Sequence, residues 1–126
     1  MRILIVDDND GMRAVMRSIA ERTDEGVHEL RECRNGAEAV VEYALWHPDA
    51  VVMDIDMPVM DGLAAAREIC RRDAHAVIVH VTQWREEEYR EHSARAGAVS
   101  IIGKERLTDL PNVLAALRRE QERGRE

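Results

Sequence analysis

The sequence predicts an α/β protein built on a parallel sheet with helices on both faces. Short apolar runs rich in β-branched residues recur five times, at Arg2–Val6, Val27–Cys33, Ala50–Asp54, Ala76–Val81 and Ala98–Ile102. Between them the apolar residues switch to helical spacing for about 10 to 15 residues. Most of the runs stop abruptly at a carboxylate, a hydroxyl or an ammonium. Strand and helix alternating five times means parallel strands joined by right-handed helical crossovers.

Taken in order, Arg2–Val6 ends in Asp7-Asp8, a buried strand closing on carboxylates. From Asp10, a plausible N-cap, the residues Met12, Val15, Met16, Ile19 and Ala20 define a helix, which Thr23-Asp24-Glu25-Gly26 interrupts. Val27–Cys33 alternates weakly and suits a sheet edge. Asn35 with Glu38 three residues on is a capping signal. It opens a helix whose predicted buried face is Ala37, Val40, Val41, Ala44 and Leu45, ended by His47-Pro48-Asp49. Ala50-Val51-Val52-Met53-Asp54 is apolar throughout until its last residue, as expected of a central strand covered on both sides. Pro58 then bars further pairing and biases Met57 away from helix.

Asp61-Gly62 caps a third helix with Leu63, Ala66, Ile69 and Cys70 on its buried side. The fourth strand ends at Thr82. The helix over Arg85–Ala96 is mostly charged, with Tyr89, Ala94 and Ala96 its only apolar stripe, so it should be the least firmly packed. The fifth strand ends in Gly103-Lys104. The last helix starts near Thr108-Asp109, tolerates Pro111 in its first turn, and buries Leu110, Val113, Leu114 and Leu117.

At 126 residues, 45% of them apolar and 34% charged, one domain with a modest core is expected. The boundaries read as 1–122 for the domain and 123–126 for a charged end or linker stub. A net charge of −7 argues against nucleic acid or an anionic membrane as a direct partner. No apolar run approaches the roughly 18 to 20 residues of a membrane helix, and Asp7 comes too early for a signal peptide. Cys33 and Cys70 lack metal-ligand spacing and read as reduced, buried thiols of a cytoplasmic protein. Lys104 is the only lysine among seventeen arginines; either this place needs a compact ammonium that Arg's planar fork does not replace, or one Lys survives by chance under a compositional bias.

In a parallel sheet all strand ends lie on one edge, so Asp7, Asp8, Asp54, Thr82 and Lys104 converge. Clustered carboxylates repel and need a cation or a proton. An oxygen-only site without His or Cys suits Mg²⁺ rather than zinc. Carboxylate, Mg²⁺, hydroxyl and ammonium together make a site for phosphoryl transfer onto aspartate.

Asp7-Asp8 after the first strand, Asp54 followed by Met57-Pro58 and Asp61-Gly62, then Thr82, and Gly97-Ala98 leading to Lys104, resemble the receiver domain of two-component response regulators. The resemblance spans about residues 2 to 120. It implies a flavodoxin-like (βα)5 three-layer sandwich of sheet order 2-1-3-4-5. Asp54 would be the phosphoacceptor, supplied by a sensor histidine kinase or phosphotransfer protein. Asp8, Asp54 and the backbone carbonyl of Asp56 would bind Mg²⁺, Asp7 mostly through a water, while Thr82 and Lys104 hold the phosphoryl group. The α4–β5–α5 surface would signal to an output protein or domain, with a phosphorylation-dependent homodimer as one form.

Three positions depart from the family pattern: Gln83 where a small residue is usual, Ile101 where an aromatic couples to the threonine, and Glu105 where a proline follows the lysine. With Ile101 a weak reporter, Thr82 and Trp84 are expected to carry more of the switch. Two other readings compete. One is an unphosphorylated docking domain; the other is a haloacid-dehalogenase-type phosphatase using Asp54-Ile55-Asp56, in which Pro58 replaces the expected Thr or Val.

Overall fold

In the computed structural model, residues 1–22 and 28–124 are described. The expected turn at Thr23–Gly26, together with Val27, lies outside them. The elements are β1 (Arg2–Val6), α1 (Asp10–Ala20), β2 (Glu29–Cys33), α2 (Gly36–Trp46), β3 (Ala50–Asp54) and α3 (Gly62–Arg72). They continue with β4 (Ile78–Thr82), α4 (Glu86–Arg95), β5 (Ser100–Gly103), a 3₁₀ turn (Lys104–Asp109) and α5 (Leu110–Gly124). All strand pairs are parallel, in the order β2-β1-β3-β4-β5. The flavodoxin-like expectation is met. Among the described residues no helix is long and apolar enough to cross a membrane.

Strand alternation sorts the apolar residues into two cores. Ile3, Ile5, Val52, Val79 and Val81 pack with Met16 and Ile19 of α1 and Leu110 and Leu114 of α5. Leu4, Val6, Val51, Met53 and Ile78 pack on the other side with Ala39, Val40, Tyr43 and Trp46 of α2 and Ala65, Ala66 and Ile69 of α3. Each large aliphatic side chain buried this way contributes about 1.5–3 kcal/mol. The central strands β3 and β4 are buried at every residue.

Helix starts follow the capping chemistry, with one shift. Asn9, not Asp10, caps α1, its side chain accepting the Met12 N–H at 2.8 Å. Asn35 accepts from Glu38 and Asp61 from Ala64 in the same way. Pro111 stands in the first turn of α5.

The buried face of α2 differs from the expected one. Val41 is 60% exposed, Leu45 76%, and Ala44 is exposed as well, while Ala39, Tyr43 and Trp46 go inside. The helix is apolar around most of its circumference, so spacing alone leaves its rotation open. Tyr43 and Trp46 decide it because they bury more area and find partners for their polar and π surfaces. The Tyr43 hydroxyl donates to Asp73 at 2.7 Å, and the guanidinium groups of Arg2 and Arg31 each lie 4.7 Å from the Trp46 ring. On α3 the inward residues are Ala65, Ala66 and Ile69, with Leu63 and Cys70 only partly buried.

α4 is poor in buried apolar residues, as expected, yet it is fastened by polar ones. Its buried residues are Glu86 and Ser93. Fully buried His80 on β4 lies 2.8 Å by Nε2 from the Gly62 carbonyl and 2.7 Å by Nδ1 from the Ser93 hydroxyl. A carbonyl can only accept, so Nε2–H donates to Gly62 and Nδ1 accepts the hydrogen bond that the Ser93 hydroxyl donates. Burial holds the His80 pKa below its usual 6.5 against the raising influence of Gly62 and Asp61. The unfolded chain therefore binds a proton that the native one refuses, and this contribution to stability is lost as pH falls below 6.5. His80→Leu should flatten that decline in thermal melts between pH 7.5 and 5. It should also cost about 1–3 kcal/mol for each of the two partners left unsatisfied. A decline as steep as in the wild type would show that another group drives it.

Candidate functional site

β1, β3, β4 and β5 end on one edge of the sheet, and each delivers one polar side chain there. Asp7 is fully buried. Its Oδ1 accepts the Asn9 N–H at 2.9 Å, closing the turn into α1, and Arg13 fixes the same turn by donating to the Asp7 carbonyl at 2.7 Å. Asp8, next along, is exposed. Asp54 is 3% exposed at the last position of β3. The chain folds back directly over it: Gly62 N–H donates to the Ile55 carbonyl at 2.8 Å. A Cβ at Gly62 would collide with the Asp54 carbonyl oxygen and the Ile55 Cα, so only glycine lets α3 begin this close to β3.

Carboxylate oxygens of Asp7, Asp8 and Asp54 all lie within 4.8 Å of one another. Lys104, partly buried after β5, puts its Nζ 3.5 Å from Asp7 Oδ2 and 3.7 Å from Asp54 Oδ2. Asp7 Oδ2 and Asp54 Oδ1 are buried without a hydrogen-bond partner. Burial first, then the Asp7 charge, push the Asp54 carboxyl from 3.8 up to about 7; Lys104 opposes this, and Asp56 and Asp8 add to it. One ammonium is thus too little for the carboxylates it faces. The site opens into a cavity of about 400 Å³ lined by the four aspartates, Met12, Gln83 and Lys104. Orphaned oxygens, hard donors and surplus negative charge fit a divalent cation with oxygen preference, Mg²⁺ before zinc.

Thr82 is buried, with its hydroxyl accepting the Trp84 N–H at 3.1 Å. The Trp84 indole in turn donates to Asp56 Oδ2 at 2.6 Å while the residue stays 51% exposed. This bond spans 28 residues of sequence, and no pattern in the chain announces it. Ile101 is partly buried, paired with His80 across the ladder, and lines a groove of about 330 Å³ between α4 and β5. Sequence reasoning also missed Glu86. Read there as one charge of a solvated helix, it is buried and accepts the Gly103 N–H at 2.8 Å.

The sequence profile of the response regulator receiver domain matches residues 3–117. The chain belongs to the response regulator receiver family. The chemotaxis protein CheY of Halobacterium salinarum is 41% identical over 103 residues, 82% of this chain and 83% of that protein. A two-component response regulator of the LuxR family from Aurantimonas sp. SI85-9A1 superposes with a TM-score of 0.84 at 29% identity, over 92% of this receiver and 84% of that chain. CheY of Borrelia burgdorferi, solved with CheX, BeF₃ and Mg²⁺, gives 0.74 at 29% identity over 82% and 78% of the two chains. A receiver is a signalling domain rather than a conventional enzyme, and the phosphatase reading of Asp54-Ile55-Asp56 is set aside on that ground.

Proposed function

We propose that this receiver takes a phosphoryl group on Asp54 from a phosphohistidine of a sensor kinase or phosphotransfer protein, in the cytoplasm and with Mg²⁺, and signals through its α4–β5–α5 face. The observation that carries this is the buried Asp54 carboxylate facing Lys104 inside a cluster with too little positive charge. An Asp54 oxygen attacks phosphorus in line with the leaving imidazole. The P–N bond breaks, its electron pair stays on the imidazole nitrogen, and an acyl phosphate remains. Lys104 meets the charge on the phosphoryl oxygens, while Asp8, Asp54 and the Asp56 backbone carbonyl would hold the metal, with Asp7 acting mostly through a water. Bound Mg²⁺ supplies the charge that keeps Asp54 ionised and neutralises the incoming group. The Borrelia relative's complex with BeF₃ and Mg²⁺ supports the same ligand chemistry here. The output is a partner protein, a further domain, or a second phosphorylated copy.

Incubation with acetyl phosphate and Mg²⁺ tests the proposal. One hydroxylamine-labile phosphoryl group should appear on Asp54 and none on Asp54→Ala. No label, with Mg²⁺ binding intact, would leave only the docking-domain reading.

The switch has its own readout. Thr82 should turn toward an arriving phosphoryl oxygen and draw with it the Trp84 N–H that its hydroxyl accepts, shifting the Trp84–Asp56 bond as well. Trp46, 5% exposed and clamped by two arginines, should stay silent. In a Trp46→Phe background, beryllofluoride with Mg²⁺ should change the fluorescence, and Asp54→Ala should abolish the change. Confirmed binding without a signal would place the switch elsewhere.

A further inference from the structure

We infer that Glu86, in the first turn of α4, is a positioning residue for Lys104. The proposal assigns a role to Glu86 in the phosphoacceptor site just described, and its functional consequence rests on that reading.

Glu86 is 8% exposed, and its carboxylate accepts from one buried backbone N–H and from two arginines. Oε1 accepts the buried Gly103 N–H at 2.8 Å and the Arg106 guanidinium at 2.8 Å from Nε and 2.6 Å from Nη2. Oε2 accepts from Arg90 at 3.1 Å. Burial works to raise its pKa; the Gly103 hydrogen bond and then the two arginines outweigh it and hold the carboxyl below its usual range. A buried carboxylate so fully satisfied fixes the atoms that surround it.

Those atoms include the Ile102–Gly103 peptide, one residue before Lys104. Gly103 is the last residue of β5, the edge strand, and its N–H goes to Glu86. Lys104 follows at once, opening the 3₁₀ turn that also carries Arg106. Glu86 therefore grips the Lys104 segment on both sides, by backbone at Gly103 and by guanidinium at Arg106. Here Glu105 stands directly after the lysine, so no proline ring stiffens this turn. Glu86 supplies the constraint from across the groove. The first turn of α4 and the ammonium that meets the phosphoryl group are thereby mechanically one piece. A pull on Lys104 reaches α4 without any aromatic at Ile101.

The chain's single lysine makes the test direct, because ε-¹³C-lysine labelling gives one side-chain resonance. In metal-free wild type the Lys104 ε-methylene should show two inequivalent protons, as for a pinned side chain. Glu86→Ala should collapse them toward the free-lysine position, whereas Glu86→Gln, whose amide oxygen still accepts the Gly103 N–H, should restore the separation. Beryllofluoride affinity in Mg²⁺ should fall about tenfold in Glu86→Ala, the scale of one misplaced charge-assisted contact. The same substitution in a Lys104→Ala background should cost nothing further, since the effect passes through the lysine. Should Glu86→Ala fail to fold in a thermal melt, Arg106→Met, which removes the second grip, is read in its place. An unchanged lysine resonance, or a full tenfold loss without Lys104, overturns the proposal. Failure of the wild type to bind beryllofluoride overturns the phosphoacceptor reading instead, and the lysine resonance then judges the Glu86 contact alone.

Discussion

Asp54→Asn is expected to raise the thermal stability of the metal-free receiver at pH 8 while abolishing its capacity for phosphorylation. Asp54 is 3% exposed and its carboxyl is pushed from 3.8 up to about 7, chiefly by burial and by the Asp7 charge. The folded state therefore holds a proton more tightly than the unfolded one. Its stabilising effect is complete below pH 3.8 and is lost as pH rises through about 7. Above that point a carboxylate is held against two neighbours with one ammonium between them. Allowing for screening by the open cavity, removing that charge should gain about 2 kcal/mol, or on the order of 6–10 °C in melting temperature for a domain of this size. His80 acts in the opposite direction, but only below pH 6.5, and it is present in both proteins, so the difference between wild type and Asp54→Asn from pH 7 to 8.5 reports Asp54. Mg²⁺ should erase most of the difference by stabilising the wild type, with a larger shift at pH 8 than at pH 6 because the metal displaces the Asp54 proton. Equal melting curves for wild type and Asp54→Asn across that window would mean that Lys104 alone balances the site.

The sheet edge was legible in the sequence because strand length, parallel order and the residue ending each strand are local properties. Asp7, Asp54, Thr82 and Lys104 arrive at one edge once the strands are parallel, whatever the details of packing. What stayed hidden depends on side chains meeting across the fold. The rotation of α2 could not be read from spacing, since both of its faces are apolar, and the Tyr43–Asp73 bond and the Arg2–Trp46–Arg31 stack select one of them. α4 shows the same limit. Its Glu86, Ser93 and Arg90 look like any solvated polar face, yet two of them are buried against Gly103 and His80. A polar residue is read as exposed until its partner is known, and these partners lie 13 and 17 residues away. The Trp84–Asp56 bond was hidden for the same reason.

Lys104→Met should move two affinities in opposite directions. The Lys104 ammonium sits 3.5 Å from Asp7 and 3.7 Å from Asp54, and at an effective dielectric near 20 each contact is worth roughly 4 kcal/mol before desolvation. In the absence of a phosphoryl group that ammonium competes with a metal for the same oxygens. Its removal should therefore tighten Mg²⁺ binding several-fold once Asp54 is ionised; because losing Lys104 raises the Asp54 pKa further, the titration is run at rising pH until the affinity of each protein levels off. On the proposed reading, beryllofluoride adds negative charge that Lys104 meets from the β5 side. Losing one charge-assisted contact should weaken its binding by about 10- to 100-fold. Lys104→Arg separates charge from shape. The guanidinium keeps the charge but brings a longer, planar fork to a position where a compact ammonium reaches two carboxylates at once. It should leave Mg²⁺ affinity near the wild-type value and still lose much of the beryllofluoride affinity. If Lys104→Arg binds beryllofluoride and accepts a phosphoryl group as the wild type does, the single lysine in a chain of seventeen arginines serves only as a positive charge.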